Sequence, residues 1–265
     1  MSRRALLTAV PALALALAAP AAAAPRVTLR AQLEPLRLGA PTTVSLSFHV
    51  GAAPGEGAPA LSGFALRLPA GMGFAASTLG LATCSASTLL GAGPAACPHE
   101  SLIGFGAAQV RVPFESQTVR ESARVSIFMA RPVHEHTTAL FYFDGRRPVI
   151  APLVLRSEVL TAANSSNSVL NTPVPAIPTA PGGPEATMVA LRASIGPPSL
   201  RYVKRVHHRI VSYRPRGVSI PATCPAGGLV FAARFSFRDG GHALARSVVP
   251  CPRPAAARRR PGGAR

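Results

Sequence analysis

Residues 217–252 have the sequence GVSIPATCPAGGLVFAARFSFRDGGHALARSVVPCP. Apolar and polar residues alternate in residues 230–237, and a second strand-like run follows the turn signal Asp239-Gly240-Gly241. Alternation predicts a strand with one buried face, and Asp-Gly between two such runs predicts a hairpin. Cys224 and Cys251, each followed by proline, flank the two runs. We therefore expect a β-hairpin whose ends are joined by a disulfide.

The same alternation recurs upstream of this segment. In residues 43–50 the apolar side chains occupy every second position, as in a strand with one wet face. Further strands are predicted near residues 27–31, 64–68, 107–112, 124–129, 139–143, 149–160 and 187–195. No helical periodicity follows residue 24. The sequence predicts an all-β fold, an antiparallel β-sandwich (Ig-like or jelly-roll-like) of about ten to twelve strands.

The chain contains four cysteines, which allow about three disulfide connectivities. We expect the pairing of neighbours in sequence, Cys84–Cys97 and Cys224–Cys251, because each pair would close a local loop or hairpin. A metal or redox site is disfavoured because the Cys-x-x-Cys spacing is absent. The Gly-, Ser- and Ala-rich residues between Cys84 and Cys97 predict a surface loop.

Both ends of the chain differ from the rest. Residues 1–23 combine Arg3 and Arg4 with an apolar stretch and small residues before the expected cleavage point, which predicts a signal peptide. The apolar run is short for an uncleaved membrane anchor. We expect a secreted or cell-surface protein, exported by the Sec route, with the twin-arginine route as the alternative. Residues 253–265 are basic and rich in Pro, Gly and Ala, and predict a disordered tail.

Two domain divisions are consistent with the pattern between those ends. Residues 24–252 can form one β-sandwich domain. Alternatively, residues 26–170 and 185–252 form two parts joined by the Pro-rich residues 171–184, since proline is disfavoured within a central strand.

The charge is strongly positive, with a formal net charge of +18 from 28 basic and 10 acidic residues. A GC-rich genome would account for the preference for arginine over lysine, but it would not account for the scarcity of acids. A basic surface attracts polyanions, and arginine binds phosphate and carboxylate in a bidentate manner. For an exported protein we expect anionic envelope polymers, lipid headgroups or acidic glycans as partners. Nucleic acid is not expected, since no motif positions a helix or a stacking sheet on it.

Residues 201–216, RYVKRVHHRIVSYRPR, form the most basic part of the chain and predict a hairpin or strand pair. Its cations are a candidate polyanion-binding strip: Arg201, Lys204, Arg205, Arg209, Arg214 and Arg216. The alternative is a solvated edge hairpin whose charges prevent edge-to-edge association.

A metal-binding alternative involves His134 and His136. In a strand, residues i and i+2 point to the same side, so both imidazoles could bind one ion with a third ligand such as His49 or His99. A loop between two strands is the other interpretation of the segment. The carboxylates are scattered, and neither a glycosidase pair nor a Gly-x-Ser-x-Gly elbow is present.

Several motifs resemble those of a group of uncharacterised exported proteins of GC-rich actinobacteria. They are Leu68-Pro69-Ala70-Gly71, the Cys97-Pro98 run that ends in Gly104-Phe105-Gly106, and Cys224-Pro225-Ala226-Gly227-Gly228. The resemblance implies an all-β extracellular domain and no established activity. We expect a non-enzymatic structural or binding protein without a cofactor. The alternative function is a secreted metal-dependent hydrolase that uses His134 and His136.

Overall fold

The computed structural model describes residues 25–52, 57–74, 79–114, 117–145, 152–161, 168–179, 183–196, 200–213 and 217–252. The predicted signal peptide at 1–23, the basic tail at 253–265, and the candidate residues Arg214 and Arg216 lie outside these residues. Within them, no helix is both long and apolar enough to cross a membrane.

Strands dominate the described residues. They are β1 (Arg26–Glu34), β2 (Thr43–Gly51), β3 (Leu61–Arg67), β4 (Gly73–Phe74), β5 (Leu102–Phe114), β6 (Gln117–Met129), β7 (Thr137–Asp144), β8 (Pro152–Thr161), β9 (Ser168–Pro173), β10 (Thr187–Ile195), β11 (Tyr202–Val206), β12 (Arg209–Tyr213), β13 (Val218–Ser219), β14 (Leu229–Phe237) and β15 (His242–Val249). Among the described residues between β4 and β5 lie the α-helix α1 (Ala86–Ala92) and the 3-10 turns Pro94–Ala96 and His99–Ser101.

Eleven strands form one antiparallel sheet in the order β1-β2-β10-β5-β6-β7-β8-β9-β3-β14-β15. The sheet curls until its edge strands β1 and β15 contact each other. The Ala31 N–H donates to the Ser247 hydroxyl across this junction at 3.0 Å. The predicted antiparallel all-β fold is confirmed, and the strand number of the main sheet agrees with the prediction. One continuous, nearly closed sheet surrounds the core.

Strand order in the sheet differs from strand order in the chain. β10 follows the Pro-rich residues 171–184 in sequence, yet it lies between β2 and β5. β9 contains the first residues of that Pro-rich run, and it pairs with β8 and β3. Strands from residues 26–170 and from residues 185–252 are therefore adjacent in one sheet.

The core forms where inward side chains from distant parts of the sheet meet. Phe48 of β2 lies 5.4 Å from Phe64 of β3 and 5.0 Å from Phe235 of β14, measured between ring centroids. β14 alternates strictly and buries its residues at every second position from Leu229 to Phe237. Burying a Leu or Phe side chain contributes roughly 1.5–3 kcal/mol relative to leaving it exposed, so the inward face of this strand stabilises the fold.

Both predicted disulfides are present. Cys84 is bonded to Cys97, and Cys224 to Cys251. The second bond joins the two ends of the β14–β15 hairpin, so the hairpin predicted from residues 217–252 is confirmed together with its cross-link.

The surface loop predicted between Cys84 and Cys97 is wrong, because this segment contains α1. The Ser85 hydroxyl caps the helix by accepting the Thr88 N–H at 3.0 Å. Leu89 is fully buried in a small second core with Phe128 and Leu140, on the outer side of the sheet. A seven-residue helix with one buried side chain is too short to show a helical period.

Gly106 permits the close approach of β5 to β10. A Cβ at this position would meet the Arg192 carbonyl oxygen, and it would lie 3.1 Å from the Ala193 Cα. Gly106→Ala should therefore lower the free energy of unfolding by about 1–3 kcal/mol, because backbone cannot move aside as a flexible side chain can. Urea unfolding followed by circular dichroism measures the change.

Gly91 in α1 supplies a matched control, because nothing lies within 4 Å of the point that a Cβ would occupy there. Gly91→Ala should raise the free energy of unfolding by about 0.5–1 kcal/mol through helix propensity. If the two variants had the same free energy of unfolding, β5 could move away from β10 without a loss of stability.

Candidate functional site

The basic segment forms the predicted hairpin. β11 and β12 pair from Tyr202 opposite Tyr213 to Val206 opposite Arg209, and they form a two-stranded sheet of their own. The turn consists of His207 and His208, which have φ values of 46° and 62°. Positive φ at both central residues is typical of the tight turns whose twist matches that of a hairpin.

Beyond Tyr202 the hairpin is exposed. Every residue from Val203 to Ser212 whose side chain is described is exposed, and Ile210 reaches 70%. Arg205 lies opposite Ile210 and Arg209 lies opposite Val206 in the register. Since these neighbouring pairs face opposite sides of a ribbon, Arg205 and Arg209 lie on opposite faces, beside the histidine turn at the tip of the hairpin. Arg201 precedes β11 at the base of the hairpin, and Lys204 precedes Arg205 within β11.

Tyr202 anchors the base of this hairpin. Its side chain is 0% exposed, and its hydroxyl donates a hydrogen bond to the Leu102 carbonyl oxygen at the start of β5. Its ring packs edge-on against His99, with centroids 6.0 Å apart. The base of the hairpin is thereby fixed to the main sheet. His99, a suggested third metal ligand, lies against this anchor.

The structure places His134 and His136 in a tight turn between β6 and β7. Val133 and His136 exchange backbone hydrogen bonds, and His134 and Glu135 occupy the corner with φ values of 48° and 64°. The strand geometry that would direct both imidazoles to one side is therefore not formed. Among the described residues, no group of three His, Cys, Asp or Glu side chains is arranged to hold a metal ion. Neither His49 nor His99 joins this turn as a third ligand.

A cleft beside the first disulfide was not predicted from the sequence. It has a volume of about 430 Å³ and lies between α1, Cys84 and the segment that leads into the His134 turn. Arg131 and Arg156 line it, and both are exposed. These arginines come from different strand regions, so no local sequence signal could bring them together.

A second surface that the sequence did not reveal lies on the outer face of the main sheet. A shallow hollow of about 520 Å³ crosses β1, β2, β10, β5 and β6. Arg30 and Arg192 line it, together with His49 and Gln109. Alternation predicts that these side chains point outward, but their juxtaposition depends on strand order.

No protein family, curated protein or solved structure with which the chain was compared matches it. The resemblance to exported actinobacterial proteins stays a prediction.

Proposed function

We propose that this protein is an exported, non-enzymatic binding module. Its β11–β12 hairpin binds anionic polymers of the cell envelope and so retains the protein there. The exposure of this basic hairpin, which Tyr202 anchors at its base, is the observation that carries the proposal. The source in GC-rich actinobacteria suggested by the motifs belongs to the same proposal.

Charge supports an anionic partner. The whole chain has a formal net charge of +18, which raises the local concentration of polyanions around it. Arg205 and Arg209 near the hairpin tip can each donate two parallel hydrogen bonds to a phosphate or carboxylate. The two disulfides are consistent with an oxidising compartment, since such bonds persist mainly outside the cytosol.

The form of the hairpin also supports a binding role. A lone two-stranded hairpin is marginally stable in water, and this one exposes Val203, Ile210 and Val211 besides its cations. A partner that covers the ribbon would remove this apolar surface from water. The alternative, that the charges only prevent edge-to-edge association, predicts no affinity of the hairpin for polyanions.

The test is the charge-reversing variant Arg205→Glu with Arg209→Glu. Its affinity for immobilised poly(glycerol phosphate) at low salt should fall at least about thirtyfold, given roughly 1 kcal/mol for each cation near an anionic surface. The slope of log K against log salt concentration should become shallower by about one for each arginine. Surface plasmon resonance across a salt series measures both quantities.

Arg234→Glu with Arg246→Glu is the matched control. Both arginines are exposed, on β14 and β15, and the change in net charge is the same. We expect a much smaller loss of affinity. Equal losses in the two variants would assign retention to net charge alone and would contradict a hairpin site.

A further inference from the structure

Three outward-facing arginines lie in one line across the main sheet. The strand register aligns Arg30 of β1, Ser47 of β2, Arg192 of β10, Ala107 of β5 and Arg124 of β6. We call Arg30, Arg192 and Arg124 the arginine row. Every second strand contributes an arginine to this line, and each strand between two arginines contributes a small residue. The Cα atoms of neighbouring arginines are therefore about 10 Å apart.

The arginine row is accessible and positively charged. All three side chains are exposed, and none of them forms an ion pair within the described part of the chain. The acidic residues nearest in the register lie at the margins of this face: Glu34 at the end of β1, and Asp144 of β7 opposite Arg124. An anion placed between Arg30 and Arg192 therefore meets two cations and little repulsion.

Neutral hydrogen-bonding groups occupy the adjacent line of the register. They are Thr28, His49, Gln109 and Ser122. With Arg30 and Arg192, these side chains line the hollow of about 520 Å³, a volume within the usual range for small-molecule sites. Hydroxyl, amide and imidazole groups beside two guanidinium groups are suited to a ligand that carries both hydroxyls and negative charge.

Phe105 adds an apolar platform on the same face. It lies on β5 two residues before Ala107, and its side chain is 42% exposed. Gly104 and Gly106 flank it, and both sit where a Cβ would meet a β10 carbonyl oxygen. The residues before and after Phe105 therefore have no side chain that could cover its ring. In the register, Phe105 lies next to the arginine row. The apolar face of a sugar ring packs well on such a surface.

We propose that this face binds a linear polysaccharide that bears carboxylates, with the chain lying across the strands along the arginine row. The guanidinium groups bind the carboxylates, the neutral groups bind sugar hydroxyls, and Phe105 contacts one ring. A single aromatic side chain favours a glycan over single-stranded nucleic acid, which is held by successive stacking platforms. The site is separate from the β11–β12 hairpin and does not depend on its role.

The test uses isothermal titration with trigalacturonate and the full chain. Arg30→Gln with Arg192→Gln should weaken binding at least about tenfold, since each substitution removes a charge-assisted hydrogen-bonding group. Arg30→Lys with Arg192→Lys should recover part of the affinity, and Phe105→Ala should also weaken binding. The hairpin variant Arg205→Glu with Arg209→Glu should bind trigalacturonate as the unmodified protein does, whatever its affinity for poly(glycerol phosphate).

The methyl ester of trigalacturonate separates charge recognition from general sugar affinity, because it keeps the hydroxyls and loses the charge. It should bind at least about tenfold more weakly. NMR titration of the unmodified protein should place the shifted amides on β1, β2, β10 and β5. Equal binding of the ester, shifts confined to other strands, or equally tight binding of single-stranded DNA of the same charge would each overturn the proposal.

Discussion

Replacing Cys224 and Cys251 together with serine should lower the free energy of unfolding by about 3–4 kcal/mol. The bond spans 27 residues, and a cross-link of that span restricts the unfolded chain by about 3.5 kcal/mol on the chain-entropy model. It closes β14 and β15, which form the edge of the sheet next to β1. Losing it therefore loosens the junction that completes the enclosure of the core.

Urea unfolding measures this loss, and hydrogen exchange locates it. In the Cys224→Ser, Cys251→Ser variant, the amides of β14 and β15 should exchange faster than in the unmodified protein. Cys84→Ser with Cys97→Ser is the matched control. Its loop spans 13 residues, so it should cost about 3 kcal/mol and accelerate exchange in α1 instead. A loss below about 1 kcal/mol for the first variant would mean that packing alone holds the edge.

The strands were predictable because alternation is a local property. Residues 43–50 and 230–237 each show the two-residue period, and each forms a strand, β2 and β14, with the predicted face buried. The cross-linked hairpin was predictable for the same reason, since its turn and both cysteines lie within one short segment. Local patterns therefore identified the strands, and the pairing of strands that follow each other directly in the chain.

At the two histidine turns, the local sequence pattern does not identify the turn residues. Asn-Gly and Asp-Gly are the usual sequences of a two-residue hairpin turn, whereas here the corners are His134-Glu135 and His207-His208. Pro132 and Thr137-Thr138 indicated a loop at the first corner, but no glycine or asparagine marks the turn itself. The same residues were therefore also compatible with a strand that presents two imidazoles. His134 and Glu135 have positive φ values in the corner that the backbone hydrogen bonds between Val133 and His136 close.

The arginine row could not be predicted from the sequence, for a different reason. Alternation directs Arg30, Arg192 and Arg124 outward, but it contains no information on which strands are adjacent. β10 lies between β2 and β5, although residues 115–186 separate β10 from β5 in the chain. The basic residues of the hairpin are close together in the sequence, so the sequence alone identified them as a candidate site. The basic residues of the arginine row are far apart in the sequence, and they become neighbours only when the strands pair.

Phe235→Ala should produce the other large loss of stability, about 3–5 kcal/mol. Phe235 is 0% exposed, and its ring contacts both Phe48 and Phe64 where distant strands of the sheet face each other. A void of about 40 Å³ already adjoins these rings. Truncation would enlarge this void, because strands held by the sheet and by the disulfide cannot collapse into it.

Urea unfolding with both disulfides intact gives the free energy of unfolding, and an unchanged m value identifies a loss in the folded state. Phe105→Ala is the matched control, since it removes the same atoms from the outer face of the same sheet and should change stability by about 0.5 kcal/mol or less. If Phe235→Ala were as mild as Phe105→Ala, the three rings would not form the packed centre of the fold. The contrast follows from burial alone, since both phenylalanines lie in paired strands of the same sheet, and only Phe235 points into it.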